Sequence, residues 1–189
     1  VVAESCPQYL TTDDGAVDER GALAKVAPPL RPRADLDAMW EGVKSGAVDL
    51  IGSDHAPYTE AQKNEKSFME APFGAPGIET LLPVLYSEGV AAERISADRL
   101  VQIASEFPAR VLGLYPRKGN LHPGADADLV VIDPGRETVL RAKDLHTNSD
   151  YSLIEGWALK GSIESVMLRG ADAVRSGETK ILPEQDAKV

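Results

Sequence analysis

A chain of 189 residues is long enough for one medium-sized domain or for a large piece of a bigger one. Because its net charge is −10 at pH 7, nucleic acid and anionic membrane surfaces are not expected as partners. The hydrophobic fraction of 43% indicates a folded chain, yet no apolar run is long enough to span a bilayer.

The cysteine content and the first residues bear on where the protein resides and whether it is complete. A single cysteine, Cys6, cannot form an internal disulfide, which favours the cytoplasm. The chain opens on the apolar residues Val1 and Val2, without Met and without a basic leader. We therefore expect a cytoplasmic protein and a chain that is a fragment or a processed product.

The first part of the chain has the pattern of strand, loop, helix and strand. Apolar residues predict a short buried strand over Val1–Cys6, and polar residues predict a loop over Thr11–Gly21. Two prolines exclude a helix over Val26–Arg31. Helical spacing of apolar residues predicts a helix over Ala34–Ser45, and a buried strand follows over Val48–Asp54. This order is typical of an α/β protein with parallel strands.

Helices dominate the middle of the chain, after a long loop. Residues 55–77 are rich in polar residues, proline and glycine, and a loop of this length is usually functional or disordered. Helical spacing then predicts helices over Ile78–Gly89, Ser96–Phe107 and Ala109–Leu114, with Ser96 as a partial N-cap signal.

Strands dominate the chain beyond residue 117. The β-rich stretches are separated by glycine, proline and asparagine, and they are Leu129–Asp133, Thr138–Leu140, Ser162–Arg169 and Ala171–Arg175. We therefore divide the chain into an α/β part at residues 1–117 and a β-rich part with a tail at residues 118–189. The tail is polar from Pro183 onward, and we expect it to fray.

Asp54 is the first candidate for a chemical role. It stands at the end of a predicted parallel strand, where α/β proteins collect functional groups. A carboxylate there can bind a divalent metal or act as a general base, and it can equally cap the following turn. His55 is adjacent, but neighbouring strand residues point to opposite faces, so one of the two can face a shared metal.

The other side chains that could bind a metal or attack a substrate form no recognisable motif. The histidines are His55, His122 and His146, and they include neither His-x-His nor His-Glu-x-x-His. We expect His122 and His146 on the solvated surface. Cys6 has no identifiable base beside it and is expected to be a buried structural residue. No glycine-rich phosphate loop is present.

Two proline-containing segments have a rigid backbone that suits either a ligand wall or a plain connector. They are Pro28-Pro29-Leu30-Arg31 and Glu70-Ala71-Pro72-Phe73-Gly74-Ala75-Pro76-Gly77. For the first segment the residues alone favour a stiff connector with a surface arginine, and the second could be a ligand wall or a tight link into a helix.

Six segments match a known set of motifs, in order, along nearly the whole chain. They are Glu4-Ser5-Cys6-Pro7-Gln8-Tyr9-Leu10, Lys25-Val26-Ala27-Pro28-Pro29-Leu30-Arg31, Gly52-Ser53-Asp54-His55-Ala56-Pro57-Tyr58 with Lys63 beyond it, Ala71-Pro72-Phe73-Gly74 with Gly77-Ile78-Glu79-Thr80, Lys118-Gly119 with Pro123-Gly124-Ala125-Asp126-Ala127-Asp128-Leu129, and Glu155-Gly156-Trp157. Together they resemble the cyclic amidohydrolases, the family of dihydroorotase, allantoinase and hydantoinase. No single match would be specific.

The resemblance implies a fold class and an incomplete metal site. The fold is α/β: the C-terminal part of a (β/α)8 TIM-like barrel, with its seventh and eighth strands, plus strands of an appended β-sandwich. Asp54 matches the family aspartate that binds a divalent metal and passes a proton to the leaving amide nitrogen. The resemblance implies one or two ions, with zinc first. The remaining ligands are expected upstream of Val1, so the isolated chain is expected to be inactive.

The resemblance also implies a small cyclic amide or ureide substrate and a homo-oligomeric full-length protein. The implied substrate-binding residues are Ala27, Arg31, Tyr58, Pro72 and Gly74. Ala27 replaces an asparagine and Tyr58 a histidine that many dihydroorotases carry, which weakens recognition of the dihydroorotate carboxylate.

The motif Ala71-Pro72-Phe73-Gly74 still ranks a dihydroorotase-like activity first. Allantoinase and hydantoinase or dihydropyrimidinase follow as alternatives. A non-catalytic assembly protein of the same superfamily, or an inert fragment, remains the alternative from another class.

Overall fold

The computed structural model describes residues 1–175 and 178–179 of the 189-residue chain. The α-helices in these residues are α1 (Gln8–Thr11), α2 (Gly15–Arg20), α3 (Arg33–Ser45), α4 (Glu60–Asn64), α5 (Leu81–Val84), α6 (Ala97–Val101) and α7 (Phe107–Val111). The strands are β1 (Glu4–Ser5), β2 (Leu50–Ile51), β3 (Leu129–Val139), β4 (Ala158–Leu168), β5 (Ala171–Arg175) and β6 (Glu178–Thr179). Single turns of 3₁₀-helix lie at Gly21–Ala24 and Ala142–Asp144. The polar tail predicted from Pro183 lies outside the described residues.

A parallel strand pair joined through α3 forms the first half of the molecule. Strands β1 and β2 pair in parallel, with Glu4 opposite Leu50 and Ser5 opposite Ile51, as the pattern of strand, helix and strand predicted. Both strands are shorter than predicted, because Ala3 makes irregular contacts with Asp49 at the start of the ladder. The Ala3 amide donates to the Asp49 carboxylate at 2.8 Å, and the Ala3 carbonyl accepts from the Asp49 amide.

Helix α3 confirms the helix that the apolar spacing predicted. Its buried residues are Leu36, Trp40 and Val43, which recur on one face of a helix with 3.6 residues per turn. Gly46 follows the last turn with a φ of 88°, a left-handed conformation that glycine adopts without a steric penalty. The buried face packs into the main core.

The main core fills the space between α3, the strand pair and the helices of the middle segment. Its buried residues are Leu10, Trp40, Val43, Ile51, Leu85, Ile95, Leu100 and Ile103. Trp40 also donates its indole Nε1–H to the Leu10 carbonyl at 2.9 Å, so its polar group is satisfied inside the core. Burial of one such large apolar side chain stabilises the fold by about 1.5–3 kcal/mol.

The helices of the middle segment exist as predicted, with differences at their ends. The helix predicted from Ile78 begins at Leu81 and continues in π-helical geometry over Leu85–Ala91. The helices predicted on either side of Pro108 form one continuous rod through a π-helical turn at Gln102–Glu106. Ser96 is the N-cap, since its Oγ accepts a hydrogen bond from the Arg99 amide at 3.1 Å.

Two predictions of loop were wrong. The stretch Thr11–Gly21 contains α2, whose acidic residues are solvated while Ala16 is buried in a second core cluster. The long loop 55–77 contains α4, which starts with a capping box. Thr59 Oγ1 accepts from the Gln62 amide at 3.2 Å, and Gln62 Oε1 accepts from the Thr59 amide at 2.9 Å. Both helices are shorter than two full turns, too short to show a periodic pattern.

The β-rich half is an antiparallel sheet in the order β3-β4-β5-β6. The segments predicted as two strands around Pro134 are one strand, β3, whose register with β4 shifts between Asp133 and Glu137. The sheet packs against the π-helical segment Leu85–Ala91. Gly161 of β4 has a φ of 82°, and a Cβ there would lie 2.5 Å from the ring of Tyr86. The division of the chain at residue 117 stays a prediction.

Among the described residues, none of the helices combines the length and apolarity that a membrane span requires.

Candidate active site

An open cleft of about 450 Å³ lies at the carboxyl ends of β1 and β2. Three of the predicted site residues line it: Asp54, Ala27 and Arg31. Cys6 and Tyr9 also line the cleft, which continues past Pro28 and Pro29 to the face of α3. The parallel strand pair therefore brings a carboxylate, a cation and the rigid double-proline segment to one place.

Asp54 is held by a residue from the other side of the strand pair. Its Oδ2 accepts a hydrogen bond from Gln8 Nε2 at 2.8 Å. Gln8 is 8% exposed, whereas Asp54 itself is exposed to solvent. Asp54 has a φ of 46°, a left-handed conformation that aspartate tolerates better than most residues. Gln8 is a site residue that the sequence analysis missed, because nothing in its motif indicates a partner 46 residues away.

The negative charge of Asp54 acts on two neighbouring groups. Burial, and then the charge of Asp54, raise the pKa of the Cys6 thiol to about 12. The same two causes, in the same order, raise the pKa of Tyr9 to about 12. Both side chains are therefore neutral at pH 7, and Cys6 lacks the thiolate that a nucleophile needs. Cys6 was expected to be buried, but it is only partly buried because it lines the open cleft.

Tyr9 links the Asp54 side of the cleft to the double-proline segment. Its hydroxyl donates a hydrogen bond to the Pro28 carbonyl at 2.8 Å. Ala27, Pro28 and Pro29 are exposed, and the Ala27-Pro28 peptide bond is cis. Arg31 is also exposed, and its carbonyl accepts from the Asp14 amide at 3.0 Å. The segment is thus a wall of the cleft rather than a distant connector.

The remaining predicted residues, Tyr58, Pro72 and Gly74, are not part of this cleft lining. We call residues 68–77 the wall segment. The Ala75 carbonyl accepts from the Ala56 amide at 3.0 Å, and the Gly74 amide donates to the Lys25 carbonyl at 3.0 Å. The wall segment therefore contacts both the chain just after Asp54 and the chain just before Ala27.

The approach between the wall segment and residue 56 is close enough to require glycine. Gly74 has a φ of 114°, and a Cβ there would lie 2.4 Å from the Cβ of Ala56. Tyr58 is 36% exposed, and its carbonyl accepts from Ser149 Oγ at 2.7 Å. The backbone around Tyr58 is therefore tied to the β-rich half.

The three histidines have separate environments. His55 Nδ1 accepts from the amides of Gly77 at 3.1 Å and Ile78 at 3.3 Å, so the ring proton belongs on Nε2. His122 and His146 are exposed, as predicted. His146 Nδ1 lies 2.9 Å from Glu79 Oε1, and neither of these two residues lines the cleft. Asp54 and His55 thus bind different partners.

Within residues 1–175 and 178–179, no three His, Cys, Asp or Glu side chains come together in a way that could hold a metal ion. Of the predicted site residues, Asp54 is the one whose carboxylate could bind a metal at the cleft. In the described part of the chain its Oδ1 accepts no hydrogen bond, and the residue is exposed. The group therefore fits the role of one ligand in a larger set.

A model of the amidohydrolase family matches residues 8–172. D-phenylhydantoinase of Escherichia coli O81 (strain ED1a) is 41% identical over 174 residues, which cover 90% of this chain and 38% of that protein. The crystal structure of dihydropyrimidinase from Brevibacillus agri NCHU1002 superposes with a TM-score of 0.91 at 36% identity, covering 95% of this chain and 40% of that one.

Two further solved structures are similar over most of this chain. The D-hydantoinase (dihydropyrimidinase) from Thermus sp. gives a TM-score of 0.93 at 33% identity, covering 98% of this chain and 41% of that one. The L-hydantoinase (dihydropyrimidinase) from Arthrobacter aurescens gives 0.91 at 36% identity, covering 96% and 41%. The α/β architecture therefore corresponds to part of the TIM-barrel fold of these proteins, and the chain spans about 40% of their length.

Proposed function

Because the chain belongs to the amidohydrolase family, among its cyclic amidohydrolases, we propose that it is part of a metal-dependent enzyme that hydrolyses a ring C–N bond of hydantoins or dihydropyrimidines. One observation carries the proposal: the Gln8 Nε2 to Asp54 Oδ2 hydrogen bond of 2.8 Å, which fixes an exposed carboxylate at the cleft. The names of the similar proteins, hydantoinase and dihydropyrimidinase, support the substrate class.

The proposed role of Asp54 is to bind a metal and to move a proton. A divalent cation, with zinc as the first candidate, would supply Lewis-acid polarisation of the amide carbonyl. Asp54 would accept a proton from the attacking water and return it to the leaving amide nitrogen. One or two ions are compatible with the proposal, and the remaining ligands would come from outside these 189 residues.

The neighbours of Asp54 favour this assignment of the proton transfer. Cys6 and Tyr9 line the same cleft, but their raised pKa values of about 12 keep both protonated at pH 7. A general base must be deprotonated before it can accept a proton. Asp54 is one of the carboxylates that line the cleft, and the hydrogen bond from Gln8 Nε2 to its Oδ2 fixes its orientation.

We propose an uncharged ring as the first candidate substrate and a ring that carries a carboxylate as the second. Ala27 presents a methyl group to the cleft, which offers no hydrogen bond to a substrate carboxylate. Ring-substituted hydantoins and dihydropyrimidines need no such partner. The dihydroorotase-like activity ranked first from the motifs stays a prediction. One observation keeps it as the second candidate: Arg31 lines the cleft and could pair with a carboxylate.

Three further proposals concern the whole protein. We propose that residues 1–117 belong to its barrel and residues 118–189 to a β-rich part. We propose that the complete protein forms a homo-oligomer. We also propose that the 189 residues alone are inactive, since Asp54 is the metal ligand they would contribute.

The experiment is a substrate panel with the complete protein supplied with zinc. Ring opening of phenylhydantoin, dihydrouracil, dihydroorotate and allantoin is measured side by side, with Asp54→Ala and a chelator-treated sample as controls. We expect phenylhydantoin and dihydrouracil to be opened fastest, and both controls to lose activity. Preference for dihydroorotate would move the second candidate to first place. No ring opening in the metal-loaded protein would refute the enzyme and favour a non-catalytic assembly protein.

A further inference from the structure

Within residues 1–175 and 178–179, the buried lysines Lys25 and Lys63 have no acidic partner. Lys63 is 0% exposed and Lys25 is 7% exposed. Among the described residues, neither takes part in an ion pair. Removing a charge from water without compensation is costly, so such groups persist where other polar atoms replace the water. In both cases backbone carbonyls do so.

Lys63 binds three carbonyls from two segments of the chain. Its Nζ donates to the carbonyls of Lys25 at 2.9 Å, Pro72 at 2.9 Å and Gly74 at 2.8 Å. An ammonium group has three hydrogens, and this geometry uses all of them. Lys63 therefore joins the wall segment to the chain at Lys25, two residues before Ala27.

Lys25 repeats the arrangement from the opposite side. Its Nζ donates to the carbonyls of Phe68 at 2.7 Å, Met69 at 2.8 Å and Ala71 at 2.8 Å. The ring centroid of Phe73 lies 4.4 Å from the same Nζ, a distance typical of a cation–π contact. The two ammonium groups together bind five carbonyls of the wall segment.

The wall segment is also held by backbone hydrogen bonds and by the buried residues Ala71 and Ala75, but its large side chains are exposed. Phe68, Met69 and Phe73 are 43%, 82% and 57% exposed, so their side chains add little packing in the described structure. The same segment supplies Pro72 and Gly74, which the motif resemblance assigns to substrate binding. Its large side chains thus contribute little to its position, and five hydrogen bonds to two cations add to the backbone contacts and to the burial of two small residues.

We propose that Lys25 and Lys63 form a two-lysine clamp, a pair of positioning residues that holds the wall segment against residues 25–27 and 55–56 and so shapes the substrate site. For its consequence in catalysis, the inference rests on the proposed function. Both lysines act through the backbone of the wall segment and are not catalytic residues. A neutral side chain of similar length fills the same space but leaves the carbonyls without donors.

The charge state of Lys63 supports the clamp at neutral pH. Burial, and then the charge of Lys25, lower the pKa of Lys63 to about 8. At pH 7 the ammonium form still predominates and all three hydrogens are available. The experiments are therefore done at pH 7.

The first test measures amide hydrogen exchange in the complete protein. Lys63→Met keeps the length of the side chain and removes its donors, and Lys66→Met is the matched control at an exposed lysine of the same loop. Three carbonyls lose their donors in Lys63→Met, so we expect exchange in residues 68–77 to rise at least about tenfold. Exchange elsewhere, and throughout Lys66→Met, should stay at the wild-type rate.

Unchanged exchange of the wall segment in Lys63→Met would overturn the clamp, and so would an equal rise over the whole protein. Lys63→Arg keeps the charge and serves as the second variant, in case Lys63→Met does not fold. Its larger, planar head cannot reach three convergent carbonyls as an ammonium does, so its exchange should rise within the wall segment alone. Wild-type exchange in Lys63→Arg would also count against the clamp.

The second test measures hydrolysis of phenylhydantoin. If the wall segment shapes the substrate site, Lys63→Met should raise KM about tenfold or more and change kcat less. A rise in exchange with unchanged KM would refute the positioning role while leaving the clamp as a structural feature. If the wild-type protein opens none of the rings in the panel, the proposed function fails, and the exchange data still decide the clamp.

Discussion

Replacing Gln8 with leucine tests how the Asp54 carboxylate is held. Gln8 is 8% exposed and donates from Nε2 to Asp54 Oδ2 at 2.8 Å. Leucine fills a similar volume but has no donor, so the substitution removes this hydrogen bond with little change in packing. The carboxylate then loses the contact that fixes its orientation at the cleft.

The expected loss follows from the type of hydrogen bond. A hydrogen bond to a charged group contributes about 1.5–3 kcal/mol, and about 1.4 kcal/mol corresponds to a factor of ten. We therefore expect kcat/KM for phenylhydantoin to fall about 10- to 150-fold in Gln8→Leu. Gln102→Leu applies the same change to an exposed glutamine far along the chain and should keep wild-type activity.

A double-mutant cycle separates this cause from general damage. In the Asp54→Asn background the charged partner is already absent, so adding Gln8→Leu should change kcat/KM by less than about threefold. Activity of Gln8→Leu within about twofold of wild type would refute the positioning of Asp54 by Gln8. An equally large loss in both backgrounds would assign the effect to something other than this hydrogen bond.

Four further outcomes are expected. Asp54→Ala should lower turnover by at least about two orders of magnitude, and near-normal turnover would rule out its role in proton transfer. Tyr58→His should raise activity on dihydroorotate relative to hydantoin, and an unchanged ratio would remove Tyr58 from substrate selection. In metal-free protein at pH 8, a Cys6 pKa of about 12 leaves roughly one thiolate in ten thousand, so alkylation of Cys6 should be slow. The alkylation rate should rise tenfold for each pH unit, and it should also rise in Asp54→Asn, which removes a charge that raises the pKa. Alkylation at the rate of the unfolded chain would contradict the raised pKa. Gly74→Ala should destabilise the protein by about 2 kcal/mol or more, because its Cβ would lie 2.4 Å from the methyl group of Ala56. Gly135→Ala is the control, since its Cβ would lie 3.4 Å from the nearest atom. Equal melting temperatures of the two variants would argue against the close approach at Gly74.

Periodic patterns in the sequence predicted the larger elements correctly. The spacing of Leu36, Trp40 and Val43 predicted α3, and the same reasoning found the helices around Leu85 and Ile103. Each of these segments buries one continuous face, and the regular spacing of its apolar residues indicates that face. The short helices α2 and α4 were missed because they offer at most one buried turn. For α4, the Thr59 and Gln62 pair was a start signal that could have been used.

The candidate site was predicted in part. Asp54 could be chosen from its position at the end of a strand, and Ala27 and Arg31 from motif resemblance, and all three line the cleft. Gln8, Lys25 and Lys63 were not assigned roles. The partner of Gln8 lies 46 residues away in sequence, those of Lys25 lie 43 to 46 residues away, and those of Lys63 lie 9 to 38 residues away. No local pattern therefore indicates these contacts.

The amino-acid sequence by itself determined the order of the larger helices and strands, the net negative charge and the family resemblance, because these depend on residue type and local spacing. The tertiary structure decided which groups meet. Pairing of β1 with β2 brings Gln8 to Asp54, and the folding of the wall segment over two ammonium groups brings Gly74 against Ala56. Such contacts form between segments far apart in the chain, and only the three-dimensional path of the backbone specifies them.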